Sequence, residues 1–212
     1  MTGEPRTQHR DNGHPAPGAG RPVRTFIAVL LSEELKRRIG VVQEEFKKIA
    51  PAVKWVDEAN FHITLKFLGN VPAERLDRVR EAVAAAANGI EPFDIEVRDI
   101  GAFPSARRAR TVWVGVTSGK EELAELARRV DKQLEKIGVP REDRPFRSHI
   151  TIGRVKDDQG AVELGPALEQ AQVGSLGSVR VASVTVMRSD LQRDGPVYSV
   201  LSEHRLEVKA DG

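Results

Sequence analysis

Two stretches decide the fold: Phe61-His-Ile-Thr-Leu-Lys-Phe67 and Ser148-His-Ile-Thr-Ile-Gly-Arg154. Each reads as a short β-strand, because apolar side chains recur at every second position. On a strand, residues two apart share a face. Ile63, Leu65 and Phe67 are therefore expected in a core, with His62, Thr64 and Lys66 on the other side. In the second stretch Ile150 and Ile152 are expected inward, and His149, Thr151 and Gly153 outward. Strict alternation puts Arg154 opposite His149; a bulge at Gly153, or the side chain's own length, has to bring it back.

The surroundings of the two stretches repeat as well. Thr25–Leu30 reads as a strand, Ser32 as a helix cap, and Leu35, Ile39, Val42, Phe46 and Ile49 as one apolar helical stripe stopped by Pro51. Val112, Val114 and Val116 read as a strand and Ser118 as the next helix start. Leu123, Ala127, Val130, Leu134 and Ile137 carry the second stripe, which ends at Gly138. Subtracting the first stripe from the second gives 88 at each member; subtracting 62 from 149, or 26 from 113, gives 87. A unit of strand, helix, loop and His-Ile-Thr strand thus occurs twice. Each unit runs on into a further helix and strand: Leu76, Val79 and Val83 before Asn88-Gly89, then Phe93–Val97; and a helix around Val162–Ala171, then a strand Val179–Met187. A last strand, Pro196–Leu206, forms a hairpin with it around Asp194-Gly195.

An internal repeat of this kind predicts two similar lobes related by a pseudo-two-fold axis. The fold class is α+β: each lobe a mainly antiparallel sheet with helices on its outer face, and an active-site cleft between the lobes. Residues 23–209 are expected to form this single bilobal domain. Residues 1–22, rich in proline and glycine, bury too little to offset their ordering entropy and read as a disordered tail. His9 and His14 fall there and receive no role. The chain has no cysteine, which excludes disulfides and zinc–thiolate sites and suits a reducing cytosol. No stretch has signal-peptide or membrane-spanning length, so the expectation is a cytoplasmic protein, monomeric and with no membrane partner. Lys plus Arg number 33 against 31 Asp plus Glu, a balance unlike that of a protein that coats polyanions.

Two imidazoles and two hydroxyls facing one cleft suit phosphodiester cleavage. One histidine can take a proton from the attacking water while the other gives one to the leaving oxygen. The hydroxyls of Thr64 and Thr151 can hold the non-bridging oxygens, and Arg154 can add a charge-assisted contact. Two histidines without cysteine or a nearby carboxylate make a poor metal shell, so no metal and no cofactor is expected. His204 is expected at an exposed edge. Arg107–Arg110, and Arg141, Arg144 and Arg147, could meet an RNA backbone or be solvated loop residues. Phe26, Trp55, Trp113 and Tyr198 could stack on a base or fill the core.

Trp55-Val with Asn60-Phe-His-Ile-Thr-Leu-Lys-Phe-Leu-Gly69, and Pro145-Phe-Arg-Ser-His-Ile-Thr-Ile-Gly-Arg-Val155, resemble the paired HXTX motifs of the two-histidine phosphoesterases. Similarity is greatest to the RNA 2′,3′-cyclic phosphodiesterases, also called 2′-5′ RNA ligases. Arg24–Ala28 resembles the family's opening strand, and Arg188–Leu191 with Gly195–Tyr198 its closing hairpin. Ser148 stands where many relatives have proline. The resemblance implies metal-free hydrolysis of RNA 2′,3′-cyclic ends to 2′-phosphomonoesters, with tRNA fragments or small cyclic nucleotides among the candidate substrates. It implies His62 as proton donor, His149 as proton acceptor, and Thr64, Thr151 and Arg154 as substrate-binding residues. The alternatives are 2′-5′ ligation, which is the reverse reaction, and a catalytically idle RNA- or nucleotide-binding module.

Overall fold

The computed structural model describes residues 21–193 and 195–208; residues 1–20 of the expected tail and Asp194 of the expected turn lie outside them. The first unit comprises β1 (Val23–Leu30), α1 (Glu33–Ile49), a two-residue strand β2 (Lys54–Trp55), β3 (His62–Val71), α2 (Leu76–Ala87) and β4 (Phe93–Phe103). The second comprises β5 (Thr111–Val116), α3 (Lys120–Glu135), β6 (His149–Arg154), α4 (Asp158–Gln170), β7 (Ser175–Val181), β8 (Ser183–Leu191) and β9 (Pro196–Arg205). Among the described residues, no helix is long and apolar enough to cross a membrane.

The strands form one antiparallel sheet in the order β7-β4-β5-β6-β3-β1-β8-β9, with β2 added against β6. This path divides into two four-stranded halves that meet at β3 and β6. The duplication does not map one unit onto one half. The last strand of the first unit, β4, pairs with β5 of the second, whereas β8 of the second pairs with β1 of the first. The units exchange strands, so neither half is built from a continuous piece of chain. Helices cover the sheet: α2 packs with α3, β8 and β9, and α1 with α4 and β7. Leu35, Ile39, Phe46, Leu123, Val130 and Leu134 form part of one buried cluster with Ile63 and Ile150, as the stripes predict.

Several local expectations need correction. The run Val179–Met187 is two strands rather than one. It breaks at Ala182, whose carbonyl accepts from Leu206 N–H, and the two pieces pair with β4 and β1 at opposite ends of the sheet path. Alternation marks residues as strand-like without saying which neighbour they pair with. The third helix, α3, has Gly119, at φ 73°, at its N-cap position and not Ser118. The fourth helix starts earlier than expected, at Asp158, because the Asp157 carboxylate caps Gly160 N–H. β4 continues beyond Val97 to Phe103 through an irregularity at Asp99, at φ 61°. Ile49, the last member of the first stripe, is 45% exposed at its helix end.

Candidate active site

The position of each site residue follows from how β3 and β6 meet. They pair at one point, Ile63 with Ile150, the central residues of the two tripeptides. Both isoleucines are fully buried in the main core. Residues paired across an antiparallel ladder point to the same face, so His62, Thr64, His149 and Thr151 all lie on the other face.

Beyond the tripeptides both strands break their alternation at equivalent places. Against β1, Ala28 pairs with Thr64 and Ile27 with Lys66, leaving Leu65 as a bulge. Against β5, Trp113 pairs with Thr151 and Val112 with Gly153, leaving Ile152 as a bulge. After a bulge the side chains exchange faces. In β6 this leaves Gly153 buried and Arg154 exposed, which supplies the correction that the alternation argument required. In β3 it overturns the expectation for two residues: Lys66 is 3% exposed and Phe67 is 55% exposed. Phe67 is thus the counterpart of Arg154, again 87 residues apart, and its ring lies 5.8 Å from that of Phe26.

The two imidazoles are held alike. His62 Nδ1–H donates to the Asn60 carbonyl at 2.7 Å, and His149 Nδ1–H to the Arg147 carbonyl at 2.6 Å. A carbonyl can only accept, so both neutral rings carry their proton on Nδ1 and leave Nε2 as a lone pair. Thr64 hydroxyl donates to His62 Nε2 at 2.9 Å. Asn60 ends a short 3-10 turn, Glu58–Asn60, and its side-chain amide donates to Pro196 O at 2.9 Å, which fixes the carbonyl that orients His62.

The electrostatics of the two rings differ in degree. Burial, with further contributions from the charges of Lys36, Arg154 and His149, pushes the His62 imidazole down to about 4 against the bond to Asn60. Burial also lowers His149, with Arg154 acting in the same direction. The charge of Arg154 thus acts on both histidines. Burial raises the Tyr198 phenol, which Arg154 and Arg24 partly oppose.

Aromatic rings flank each imidazole. Phe26 lies 4.9 Å from His62, and Tyr198 meets that histidine edge-on at 5.3 Å. Phe26, Ala28 and Met187 pack with Tyr198 as a small cluster separate from the main core. Phe103 meets His149 edge-on at 5.1 Å, and Trp113 lies 5.2 Å from Phe103. Trp113 rests on Gly101 and Gly115, where an added Cβ would come within 2.5 Å and 3.2 Å of the indole. An open cavity of about 490 Å³ adjoins His149, lined by Phe103, Trp113, Phe146 and Arg147. Sequence reasoning missed Phe103, which lies beyond the expected end of its strand, and the exposed Phe67. The repeat was the signal for the latter, since 67 and 154 share its offset.

The other candidates resolve as follows. Arg107 pairs with Glu169 at 2.8 Å and Arg110 with Asp158 at 2.7 Å, so both engage α4. Arg141 meets Asp131 and Glu135, and the Arg147 guanidinium lies 5.5 Å from the centre of the Phe103 ring. His204 sits on the edge strand β9 as expected but is half-buried and shares a hydrogen bond with Ser202. Trp55 lies against Gly153 and donates to Ala50 O, a packing role. Among the described residues, no three His, Asp or Glu side chains gather as metal ligands.

A sheet-lined cleft with two equivalent histidines and their threonines defines the class as a two-histidine phosphoesterase. The chain belongs to the family described as LigT like Phosphoesterase, whose sequence pattern it matches twice, over residues 29–113 and 114–198. The two matches reproduce the internal repeat. The chain is 37% identical to the RNA 2′,3′-cyclic phosphodiesterase of Methanothermobacter thermautotrophicus, over 87% of its own length and 99% of that protein. It is 32% identical to the enzyme of that name from Methanocaldococcus jannaschii, over 85% and 99%. Among solved structures, E. coli LigT complexed with 3′-AMP superposes with a TM-score of 0.69 and 28% identity, covering 87% of this chain and 98% of that one. A protein from Thermus thermophilus superposes with a TM-score of 0.72 at 27% identity, covering 88% and 99%.

Proposed function

We propose that this chain hydrolyses RNA 2′,3′-cyclic phosphate ends to 2′-phosphomonoesters by metal-independent acid–base catalysis. The observation that carries this reading is the pair of imidazoles on one cleft face, each tied at Nδ1 to a carbonyl and so leaving Nε2 as the proton-transfer atom, which in His62 meets the Thr64 hydroxyl in the free protein. The names of the curated relatives support the substrate class.

In this mechanism water attacks phosphorus while His149 Nε2 takes its proton. The bond from phosphorus to O3′ breaks, and protonated His62 gives its Nε2 proton to O3′. Phosphate remains on O2′. Thr64, Thr151 and Arg154 hold the non-bridging oxygens, where charge concentrates in the transition state. The burial that keeps His62 neutral in the free protein is offset when the anionic phosphate arrives, because a nearby negative charge favours the imidazolium. Both histidines come from one chain, which supports action as a monomer, and the absence of cysteine supports a cytoplasmic location.

One panel tests this reading: cyclic-phosphate-ended RNAs, including tRNA fragments, and free 2′,3′-cyclic nucleotides, each with EDTA. The expected result is chelator-resistant turnover to 2′-phosphate. Release of 3′-phosphate, or loss of activity with EDTA, would refute it. A second reading is the reverse reaction, with an RNA 5′-hydroxyl as one partner. It is favoured by the cavity beside His149, which far exceeds the room one water needs. Accumulation of 2′-5′-joined product from RNA halves with matched ends supports it, and hydrolysis alone rejects it.

A further inference from the structure

We propose that Lys66 is a positioning residue for His149, acting through the segment that joins α3 to β6. The bulge at Leu65 turns Lys66 away from the cleft. Its counterpart 87 residues later is Gly153, whose missing side chain leaves room for the Trp55 ring, with ring carbons 2.9 Å from where a Cβ would stand. The fold therefore does not require a charge at this position. Burying an ammonium is costly unless it is paired and hydrogen-bonded.

Lys66 has its partners. Its ammonium donates to the Asp131 carboxylate on α3 and, at 2.7 Å, to the Pro140 carbonyl. The same Asp131 accepts from Glu142 N–H at 3.2 Å and meets Arg141 at 3.5 Å. One ion pair, buried at its Lys66 end, thus fastens residues 140–142 to the strand that carries His62. That segment has no helix or strand of its own, and farther along it supplies Phe146 and Arg147 to the cavity wall. It also supplies the Arg147 carbonyl that holds His149 Nδ1. The route from Lys66 to the second imidazole is continuous: ammonium, Pro140 carbonyl, segment, Arg147 carbonyl, His149.

The proposal rests on the catalytic reading for why His149 must be held, but its main readout does not depend on turnover. Titration of both histidines is followed by NMR in wild type, Lys66→Met and Lys66→Arg, without substrate. In Lys66→Met the His149 titration is expected to move, because its burial, which lowers it, and the Arg147 carbonyl bond, which raises it, are both loosened, with His62 unmoved and amide exchange faster across 140–148. The kcat on a 2′,3′-cyclic nucleotide should fall by about ten-fold or more, since small misplacements of catalytic groups carry costs up to ~100-fold. Lys66→Arg, which keeps the charge, should restore much of both. If Lys66→Met does not fold, Asp131→Asn carries the same expectations with smaller loss of packing. A lowered melting temperature with unchanged His149 titration, segment exchange and kcat would overturn the proposal. Inactive wild type would refute the phosphodiesterase reading and leave the clamp to be judged by titration and exchange.

Discussion

Ile63 pairs with Ile150 at the one contact where β3 meets β6, and these two residues are each other's equivalents in the duplicated sequence. When equivalent residues pair with each other, the pseudo-two-fold axis must pass between them. Each isoleucine sits at the centre of a His-Ile-Thr tripeptide and points into the core. The axis therefore brings the two histidines and two threonines onto the opposite face as a symmetric set. A one-residue slip of this register would pair a histidine with an isoleucine and send one of the two imidazoles into the core, so the buried isoleucines fix the chemistry as well as the packing.

His62→Ala and His149→Ala should each lower kcat on a 2′,3′-cyclic nucleotide by about 100- to 10,000-fold, the usual contribution of a positioned acid or base. Removing both should cost far less than the product of the two losses, because the residues act as a unit. Steady-state kinetics with circular dichroism as a folding control checks this. Near wild-type turnover in either single variant would rule out a paired mechanism.

Arg154 and Phe67 occupy equivalent places, so the bulges place a cation on one side of the cleft and an aromatic ring on the other. Arg154→Ala should lower kcat/KM by roughly 10- to 100-fold, the range for losing a charged hydrogen bond. Lysine should recover part of this, since an ammonium lacks the fork of a guanidinium. Phe67→Arg should not rescue Arg154→Ala if Arg154 works by contact with the phosphate from its own side. A double variant with wild-type kcat/KM would show that any cation on the cleft face suffices.

The sequence and the structure agree where local pattern decides the outcome. His62, Thr64, His149 and Thr151 were legible because period-two alternation and the repeat point to the same face, and Arg154 was legible given a bulge. Lys66 and Phe67 were misread because no local signal marks Leu65 as the bulged residue; the register with β1 decides it. The break at Ala182 was hidden for a similar reason, since β7 and β8 differ in partner and not in composition. Phe103 was missed because its strand continues through Asp99 at positive φ, which most residues avoid.

Gly153 marks where the second bulge depends on a missing side chain. Gly153→Val would place carbon atoms against the Trp55 ring, whose carbons lie 2.9 Å from where the new Cβ would stand, and against Val53. Overpacking of this kind typically costs about 1–3 kcal/mol. Because Arg154 follows directly, the variant should also lose affinity for inorganic phosphate. Calorimetry for both stability and phosphate binding tests this; a destabilised variant with unchanged phosphate affinity would separate the bulge from the placement of Arg154.

The depressed imidazoles set a direction for pH dependence. His62 titrates at about 4 in the folded chain, against 6.5 for an ordinary histidine. Between these values the unfolded chain holds the proton and the folded chain does not, so stability should fall as pH drops from 6.5 towards 4. His62→Asn cannot take up that proton, and its melting temperature should show a shallower fall over the same window. Inorganic phosphate, by favouring the imidazolium, should flatten the wild-type slope towards that of the variant. The same shifts place the optimum of kcat/KM below 6.5, because the donor must be protonated in the free enzyme, while kcat should peak at higher pH once bound phosphate raises the donor. Equal pH slopes for wild type and His62→Asn would show that His62 is not held neutral by burial.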